Sequence, residues 1–292
     1  MNIEIIVGGL IGATYLVPIS LAFCIASAHG KYLPLWLPYT GLLGAYVSYE
    51  LAEVMRVGPI WAFTIGIATA AGTAVIVHTG LFHGHVERAE PYQALLRAIG
   101  ITVFVEAGLG WATRGYALSY NRLKFPDAFY FRMLGETLTG ADLAAVLSAA
   151  LLAPLVVIVM KETWLGLMFR SVASNRNLAR DYGLPVRQLD LAVLALGGAL
   201  SALGAIMFGM KYDLWPQMIA QPTIKVAAVA VAFGNDRLGT VAAALLMIGI
   251  LEAATQASSH TAPLASAIGY LILIVAVLVR HAASTLLRRR LT

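Results

Sequence analysis

Long apolar runs separated by shorter polar connections dominate the chain, and most of the runs are close to twenty residues long. A helix of about that length spans the hydrocarbon core of a bilayer. The pattern therefore predicts an all-α protein, a polytopic transmembrane helical bundle with about eight membrane segments. The predicted segments are residues 3–28, 35–54, 59–81, 95–111, 143–160, 189–209, an interrupted seventh made of 225–233 and 240–256, and 263–279.

The composition supports a membrane protein. Hydrophobic residues make up 60% of the chain and charged residues 12%, whereas soluble domains are about one quarter charged. We expect residues 1–292 to form one transmembrane domain in the lipid bilayer. The Lys and Arg residues that give the net charge of +5 are expected in cytoplasmic loops, so the charge does not predict a nucleic-acid partner. The single cysteine, Cys24, lies within the first run and cannot form an intrachain disulfide.

The region near residues 224–239 interrupts the seventh apolar segment. Gly234, Asn235 and Gly239 supply residues that favour turns. Irregular backbone at membrane depth persists only where it is buried in protein or lines a wet cavity, and broken helices of this kind form substrate sites in transporters. One interpretation is that the region forms a re-entrant segment at membrane depth. The alternative is an ordinary turn at the membrane surface, with the amine of Lys225 extended toward water.

A polar, basic segment, residues 161–188, carries the signals of a short helix between two apolar runs. Ser174 or Asn175 can cap its start, and Gly183 followed by Pro185 can end it. The helix would present an apolar face made of Leu178, Ala179 and Tyr182. It would also present a basic edge made of Arg176 and Arg180. A short capped helix outside the membrane suits docking into another protein, as a coupling helix does in a transporter driven by a separate motor.

Basic residues also predict the orientation of the chain. The 161–188 segment and the C-terminal tail, residues 280–292, are rich in Lys and Arg, and the positive-inside rule places both in the cytoplasm. With eight segments the N-terminus is then extracytoplasmic. The connection 114–142 also holds several basic residues but would face outward. We expect it to form a loop plus a short helix outside the hydrocarbon.

Few ionisable residues lie inside the apolar runs, and such residues usually face the protein interior or a path. Glu106 and Glu252 are two of them, and for Glu252 we favour a hydrogen bond between helices over substrate contact. His78, His83 and His85 cluster in sequence without a helical HxxxH or HExxH pattern, so we expect no metal site. The polar candidates for a translocation path are Tyr15, Tyr46, Lys225, Gly234, Asn235 and Glu252.

Two blocks of the chain carry a family resemblance. In the first, the matching positions are Thr163, Gly166, Arg170, Ala179, Gly183, Ala199, Leu200, Ala202 and Gly204, and in the second they are Lys225, Gly234, Gly239, Gly249 and Glu252. With the opening GGLIGATYLVPISLAF and the GAY at Gly44–Tyr46, these blocks resemble the bacterial permeases of branched-chain amino acid ABC transporters. The chain lacks the family's Asn-Phe-Ala-His-Gly run just before GAY. This difference bears on the identity of the substrate more than on membership of the family.

The resemblance implies a permease that forms half of a translocation path in the bacterial cytoplasmic (inner) membrane. Its implied partners are a second permease subunit, two ATP-binding-cassette ATPase subunits and a periplasmic or lipid-anchored solute-binding protein. The chain has no GxxxxGK[ST] phosphate-binding motif, so ATP-Mg is expected on the partners, with no cofactor and no catalytic residue on this chain. The implied ATPase-coupling residues are Arg170, Ser174, Asn175, Arg176, Leu178, Ala179, Arg180, Tyr182 and Gly183.

Two other classes stay open at this point. An ion- or proton-coupled secondary transporter of small solutes would need no ATPase and would use Glu106 and Glu252 as coupling sites. A membrane enzyme or an assembly scaffold is the third class, and an enzyme should show clustered His, Asp or Ser at one depth. The implied substrate is a branched-chain amino acid, with related amides, urea or small carboxylates as alternatives.

Overall fold

The computed structural model describes residues 3–30, 32–82, 91–121, 131–133, 136–234 and 237–256, and the single positions 270, 274 and 278. These residues are helical apart from turns, loops and one short hairpin. The helices are α1 Ile3–Thr14, α2 Leu16–Gly30, α3 Leu37–Tyr49, α4 Pro59–Val77, α5 Pro91–Ala112, α6 Gly140–Glu162, α7 Trp164–Ser174, α8 Arg176–Asp181, α9 Val186–Tyr212, α10 Ala220–Phe233 and α11 Leu238–Gln256. Two π-helical turns, Glu50–Val54 and His78–Phe82, follow α3 and α4, and strands β1 Phe131–Met133 and β2 Glu136–Leu138 pair antiparallel.

Five described helices are long and apolar enough to cross a membrane, or six if the bent pair of α1 and α2 forms one span. The predicted total of about eight is therefore not confirmed. One reason is that α3 has 13 residues and α10 has 14. At 1.5 Å per residue each is only about 20 Å long, shorter than the hydrocarbon core. The last predicted span, 263–279, lies outside the described residues except at positions 270, 274 and 278.

The helices α2 and α9 run antiparallel through the bundle. His29, near the end of α2, bonds Asp190, near the start of α9. Tyr212, the last residue of α9, lies beside Gly12 in α1. We call the first of these two ends the α8 end, because α8 immediately precedes α9, and the other the opposite end. The chain therefore enters α1 at the opposite end.

Glycines allow the central helices to approach one another closely. The short helix α3 is buried against α4 and α9. A Cβ atom on Gly41 would lie 2.5 Å from the carbonyl oxygen of Ser201 in α9, and one on Gly44 would lie 2.5 Å from the carbonyl oxygen of Gly66 in α4. A Cβ on Gly198 would meet the Ala70 carbonyl oxygen at 2.5 Å. Small residues at these positions let the backbones of neighbouring helices approach closely.

The two halves of the core have the same plan in opposite directions. In each half a long helix is followed by an irregular segment, a short helix and another long helix. The first half is α1–α2, α3 and α4, and the second is α9, α10 and α11. The short helix α3 packs on α9, and its counterpart α10 packs on α2. Each short helix thus packs against the long helix of the other half.

Part of the connection between α5 and α6, residues 122–130, lies outside the described residues. The described part contains the β1–β2 hairpin where a short helix was expected. Earlier in the same connection, Leu118 pairs with Leu214 in the irregular segment after α9. Tyr120 is fully buried and donates a 2.7 Å hydrogen bond to the carbonyl oxygen of Ala45. Burial raises the pKa of Tyr120 and keeps its hydroxyl in the donating form.

Candidate functional site

The short helix α8 is fixed at both of its ends by local hydrogen bonds. The side chain of Asn175 accepts the backbone N–H of Leu178 at 3.1 Å and caps the start. Gly183 adopts a φ of +79°, which side chains disfavour. The backbone N–H of Leu184 donates to the carbonyl of Ala179, and that of Gly183 donates to Arg180, which together form a Schellman motif. Of the two predicted caps, the structure selects Asn175 over Ser174.

The predicted apolar face of α8 divides into a buried part and an exposed part. Ala179 is buried in a small cluster with Val172, Val186 and Leu189. Leu178 is 50% exposed and Tyr182 is 81% exposed. We call these two residues the α8 knob. Ala179 anchors the helix to α7 and α9, and the knob projects away from the bundle.

The predicted basic edge of α8 is wrong for Arg176, which turns inward. Its guanidinium donates to the carboxylate of Asp190, the same group that lies 2.6 Å from Nε2 of His29. His29 and Asp190 are both buried. Arg180, in contrast, is on the exposed side of the helix. The buried ion pair therefore connects α8 to the ends of α2 and α9, and the ring of Phe169 in α7 packs edge-on against His29.

Three of the positions that carry the family resemblance, Thr163, Gly166 and Arg170, form the elbow between α6 and α7. The hydroxyl of Thr163 donates to the carbonyl of Val159 and accepts from the backbone N–H of Gly166, so that it caps α7. A side chain at Gly166 would collide with the carbonyl oxygens of Val159 and Met160. Arg170 donates a 3.0 Å hydrogen bond to the carbonyl of Lys161. These contacts hold α7 at a set angle to α6.

The turn between α10 and α11 lies at the α8 end. Gly234 has a φ of +98° and ends α10, while Asn235 lies outside the described residues. Beyond the turn, Arg237 and Gly239 line a cavity of about 820 Å³ that they share with residues of α7, among them Ser174. This location favours an interfacial turn over a re-entrant loop at membrane depth. The irregular buried backbone lies instead before α10, where Leu214 and Ile219 are fully buried.

A second cavity, of about 650 Å³, lies toward the opposite end between α1, α9, α10 and α11. Lys225 of α10 and Glu252 of α11 both line it, and Lys225 Nζ lies 2.8 Å from Glu252 Oε2. The amine of Lys225 is thus paired inside the protein, which differs from the extended position expected for an interfacial lysine. We call this space the Lys225–Glu252 cavity. Its other polar lining residues are Tyr212, Gln221 and Gln256.

The two predicted path tyrosines do not line this cavity. Tyr15 is fully buried, and its hydroxyl donates to Asp142 at 2.8 Å. Asp142 also accepts from Lys211 and from Thr139, with which it forms a capping box at the start of α6. Tyr46 is buried in α3, and its hydroxyl has no hydrogen-bond partner among the described residues. Asp142 at the start of α6 therefore links Tyr15, between α1 and α2, to Lys211 of α9.

The second intramembrane acid, Glu106 of α5, accepts a 2.8 Å hydrogen bond from Tyr39 of α3. Sequence reasoning identified the acid without its partner, because the two residues are far apart in the chain. His78 is buried and its ring stacks on Phe82. His83 and His85 lie outside the described residues. Within the described part of the chain, no three His, Cys, Asp or Glu residues are grouped so that they could hold a metal ion.

The long apolar helices define a class of protein, a multi-pass membrane protein. The family model for the permease component of the branched-chain amino acid transport system matches residues 39–277. The chain belongs to this family. No match was found among curated protein sequences.

Two solved structures share the fold. One is PsaBC from Streptococcus pneumoniae in complex with Fab, with a TM-score of 0.52, 13% identity, and coverage of 92% of this chain and 89% of that chain. The other is an inward-facing conformation of a protein assigned to the metal-chelate type of ABC transporters, with a TM-score of 0.52, 15% identity, and coverage of 93% and 85%. Family and fold together support an ABC permease.

Proposed function

We propose that this chain is the membrane permease subunit of an ABC importer for branched-chain amino acids or related small solutes. It forms half of a translocation path and has no catalytic residue of its own. A second permease, identical or related, supplies the other half, and two ATPase subunits carry ATP-Mg. A periplasmic or lipid-anchored binding protein delivers the solute.

The observation that carries this proposal is the α8 knob. Leu178 and Tyr182 are large apolar side chains exposed on a helix that is capped at both ends and anchored by Ala179. Exposed apolar residues on a rigid support are typical of a protein docking surface. The knob thus suits a groove on an ATPase, and a family of transport permeases provides a reason for such a partner.

The orientation follows from the same docking. An ATPase works in the cytoplasm, so the α8 end faces the cytoplasm of a bacterial inner membrane. The start of α1, which lies at the opposite end, then faces outward, as the distribution of basic residues predicts.

Movement of the ATPases would reach the membrane helices through two links. The α6–α7 elbow, held by Thr163, Gly166 and Arg170, transmits displacement to α6. The ion pair between Arg176 and Asp190, with His29 behind it, transmits displacement to α2 and α9. The helices α2 and α9 lie at the centre of the two halves. A change in their tilt would open the translocation path at one end of the bundle and close it at the other.

A co-purification experiment tests the proposal. Leu178→Asp and Tyr182→Asp place a charge within the expected apolar contact, and each should release the ATPases while the permease stays folded. The matched control is Asn177→Asp, which adds the same charge to an exposed position on another face of α8. Mass spectrometry of the detergent-purified complex measures the recovered ATPases.

The secondary-transporter hypothesis predicts a different outcome. If the chain purifies alone and still accumulates solute in vesicles without ATP, the coupling proposal is wrong. In that case Glu106→Gln and Glu252→Gln should abolish uptake, and changes at the α8 knob should have no effect.

A further inference from the structure

The Lys225–Glu252 cavity contains one incompletely bonded charged group. Glu252 Oε2 bonds the amine of Lys225, while Glu252 Oε1 is buried and has no hydrogen-bond partner among the described residues. A buried carboxylate oxygen without a donor carries a free-energy penalty. A ligand that brings an N–H donor to this oxygen would remove that penalty.

A second ion pair nearby shows what a fully bonded carboxylate looks like in this protein. Asp142 accepts hydrogen bonds from Tyr15, Lys211 and both the backbone and side chain of Thr139. Both of its oxygens are therefore occupied, as a structural role requires. Among the described residues Glu252 has one donor for two oxygens, and it lines the Lys225–Glu252 cavity.

Most of the other residues that line the cavity are apolar, and several of them are glycines. Gly9 and Gly12 of α1 and Gly249 of α11 line the cavity, along with Leu16 and Ile248. Gly9 and Gly249 let α1 and α11 touch, since a Cβ on Gly9 would lie 2.5 Å from the Gly249 carbonyl oxygen. The remaining space, about 650 Å³, is of the size that holds a small metabolite.

From these observations we propose that Lys225 and Glu252 form an exchangeable subsite for a zwitterionic α-amino acid with an aliphatic side chain. The ligand carboxylate takes the amine of Lys225, and the ligand ammonium donates to Glu252, including its unpaired Oε1. The internal ion pair occupies the site in the empty state. Binding breaks the one internal ion pair and forms two with the ligand, and the cost of opening the internal pair offsets part of the gain, so that binding is weak enough for release.

The subsite would select against uncharged solutes. Urea or an aliphatic amide has no charge with which to replace the Lys225–Glu252 ion pair, and would leave that pair closed. The subsite therefore narrows the substrate class of the proposed permease to amino acids. This inference rests on the proposed function, because it assigns the cavity to the translocation path.

The test uses the reconstituted complex of permease, ATPases and binding protein, with radiolabelled leucine as the probe. Glu252→Gln and Lys225→Gln should each lower leucine uptake at least about tenfold, as expected for the loss of a hydrogen bond to a charged group. Glu106→Gln is the matched control, since it changes the other intramembrane glutamate and lies outside the cavity. Its uptake should stay close to that of the unmodified protein.

The double variant Lys225→Met/Glu252→Met distinguishes a subsite from a structural ion pair. Replacing both members of a buried pair by apolar residues usually preserves stability. We expect the double variant to assemble, to retain ATPase activity stimulated by the binding protein, and to lose leucine uptake. Leucine uptake at the unmodified rate would overturn the subsite.

The same measurements separate failure of the subsite from failure of the proposed function. If no ATPase associates with the unmodified permease, the proposed function fails. If the ATPases associate and respond but uptake by the double variant is normal, only the subsite fails. Unlabelled leucine should compete for uptake in the unmodified complex, and competition by urea or by isovaleramide at the same concentration would contradict the required zwitterion.

Discussion

At the scale of single residues, Asp190 has the most demanding environment. It is buried, it accepts from Arg176 of α8, and it lies 2.6 Å from Nε2 of His29 of α2. Removal of one member of a buried ion pair leaves the other charge without compensation, which costs roughly 3 kcal/mol. Among the described residues, the ion pair between Arg176 and Asp190 is the one direct charged contact that connects α8 to α2 and α9.

We therefore predict that Asp190→Asn lowers both stability and coupling. The purified complex should melt at a lower temperature, and ATP hydrolysis should continue while solute uptake falls. Arg187→Gln removes an exposed charge one turn away and serves as the control. Equal loss of hydrolysis and uptake in Asp190→Asn would indicate a general folding defect and would contradict a coupling role.

At the scale of elements, the packing of helices depends on where glycines lie. Gly198 of α9 lies against the backbone of α4, and a Cβ there would approach the Ala70 carbonyl oxygen to 2.5 Å. Gly72 of α4 has nothing within 4 Å of the same hypothetical atom. Two glycines in neighbouring helices thus have opposite tolerance for a methyl group.

We predict that Gly198→Ala destabilises the bundle by about 1–3 kcal/mol, the usual cost of overpacking. Gly72→Ala should be neutral or slightly stabilising, because alanine favours a helix more than glycine does. Thermal unfolding in detergent, followed by size-exclusion chromatography, measures both. A similar melting temperature for the two variants would mean that α4 and α9 separate without cost.

At the scale of the whole molecule, the two ends of the bundle should face opposite sides of the membrane. Ala117 is exposed at the opposite end, beside the Leu118–Leu214 pairing, and Asn177 is exposed on α8. The single native cysteine, Cys24, is buried and can be replaced by serine. Each exposed position can then carry the only reactive thiol.

We predict that, in the Cys24→Ser background, Ala117→Cys reacts with a membrane-impermeant maleimide in intact spheroplasts, because it faces outward. Asn177→Cys should react only after the membrane is permeabilised. Labelling of Asn177→Cys in intact cells would reverse the proposed orientation and would exclude cytoplasmic ATPases as the partners of α8.

The sequence by itself determined the membrane class, the positions of the long apolar helices and the short helix α8. These depend on local properties: runs of apolar residues as long as a bilayer is thick, a capping side chain at Ser174 or Asn175, and a glycine, Gly183, that can end a helix. The family resemblance was also readable, because its residues are fixed by close approach and turn geometry, as at Gly166.

Only the tertiary structure decided which polar residues meet. Tyr15 with Asp142, Arg176 with Asp190 and Lys225 with Glu252 are separated along the chain by 127, 14 and 27 residues respectively. A hydropathy pattern describes how each residue interacts with solvent and lipid, but carries no information on its partner across the bundle. The pattern also did not show that two predicted spans contain the short helices α3 and α10, of which α3 is largely buried while Ile224 and Phe233 of α10 stay partly exposed.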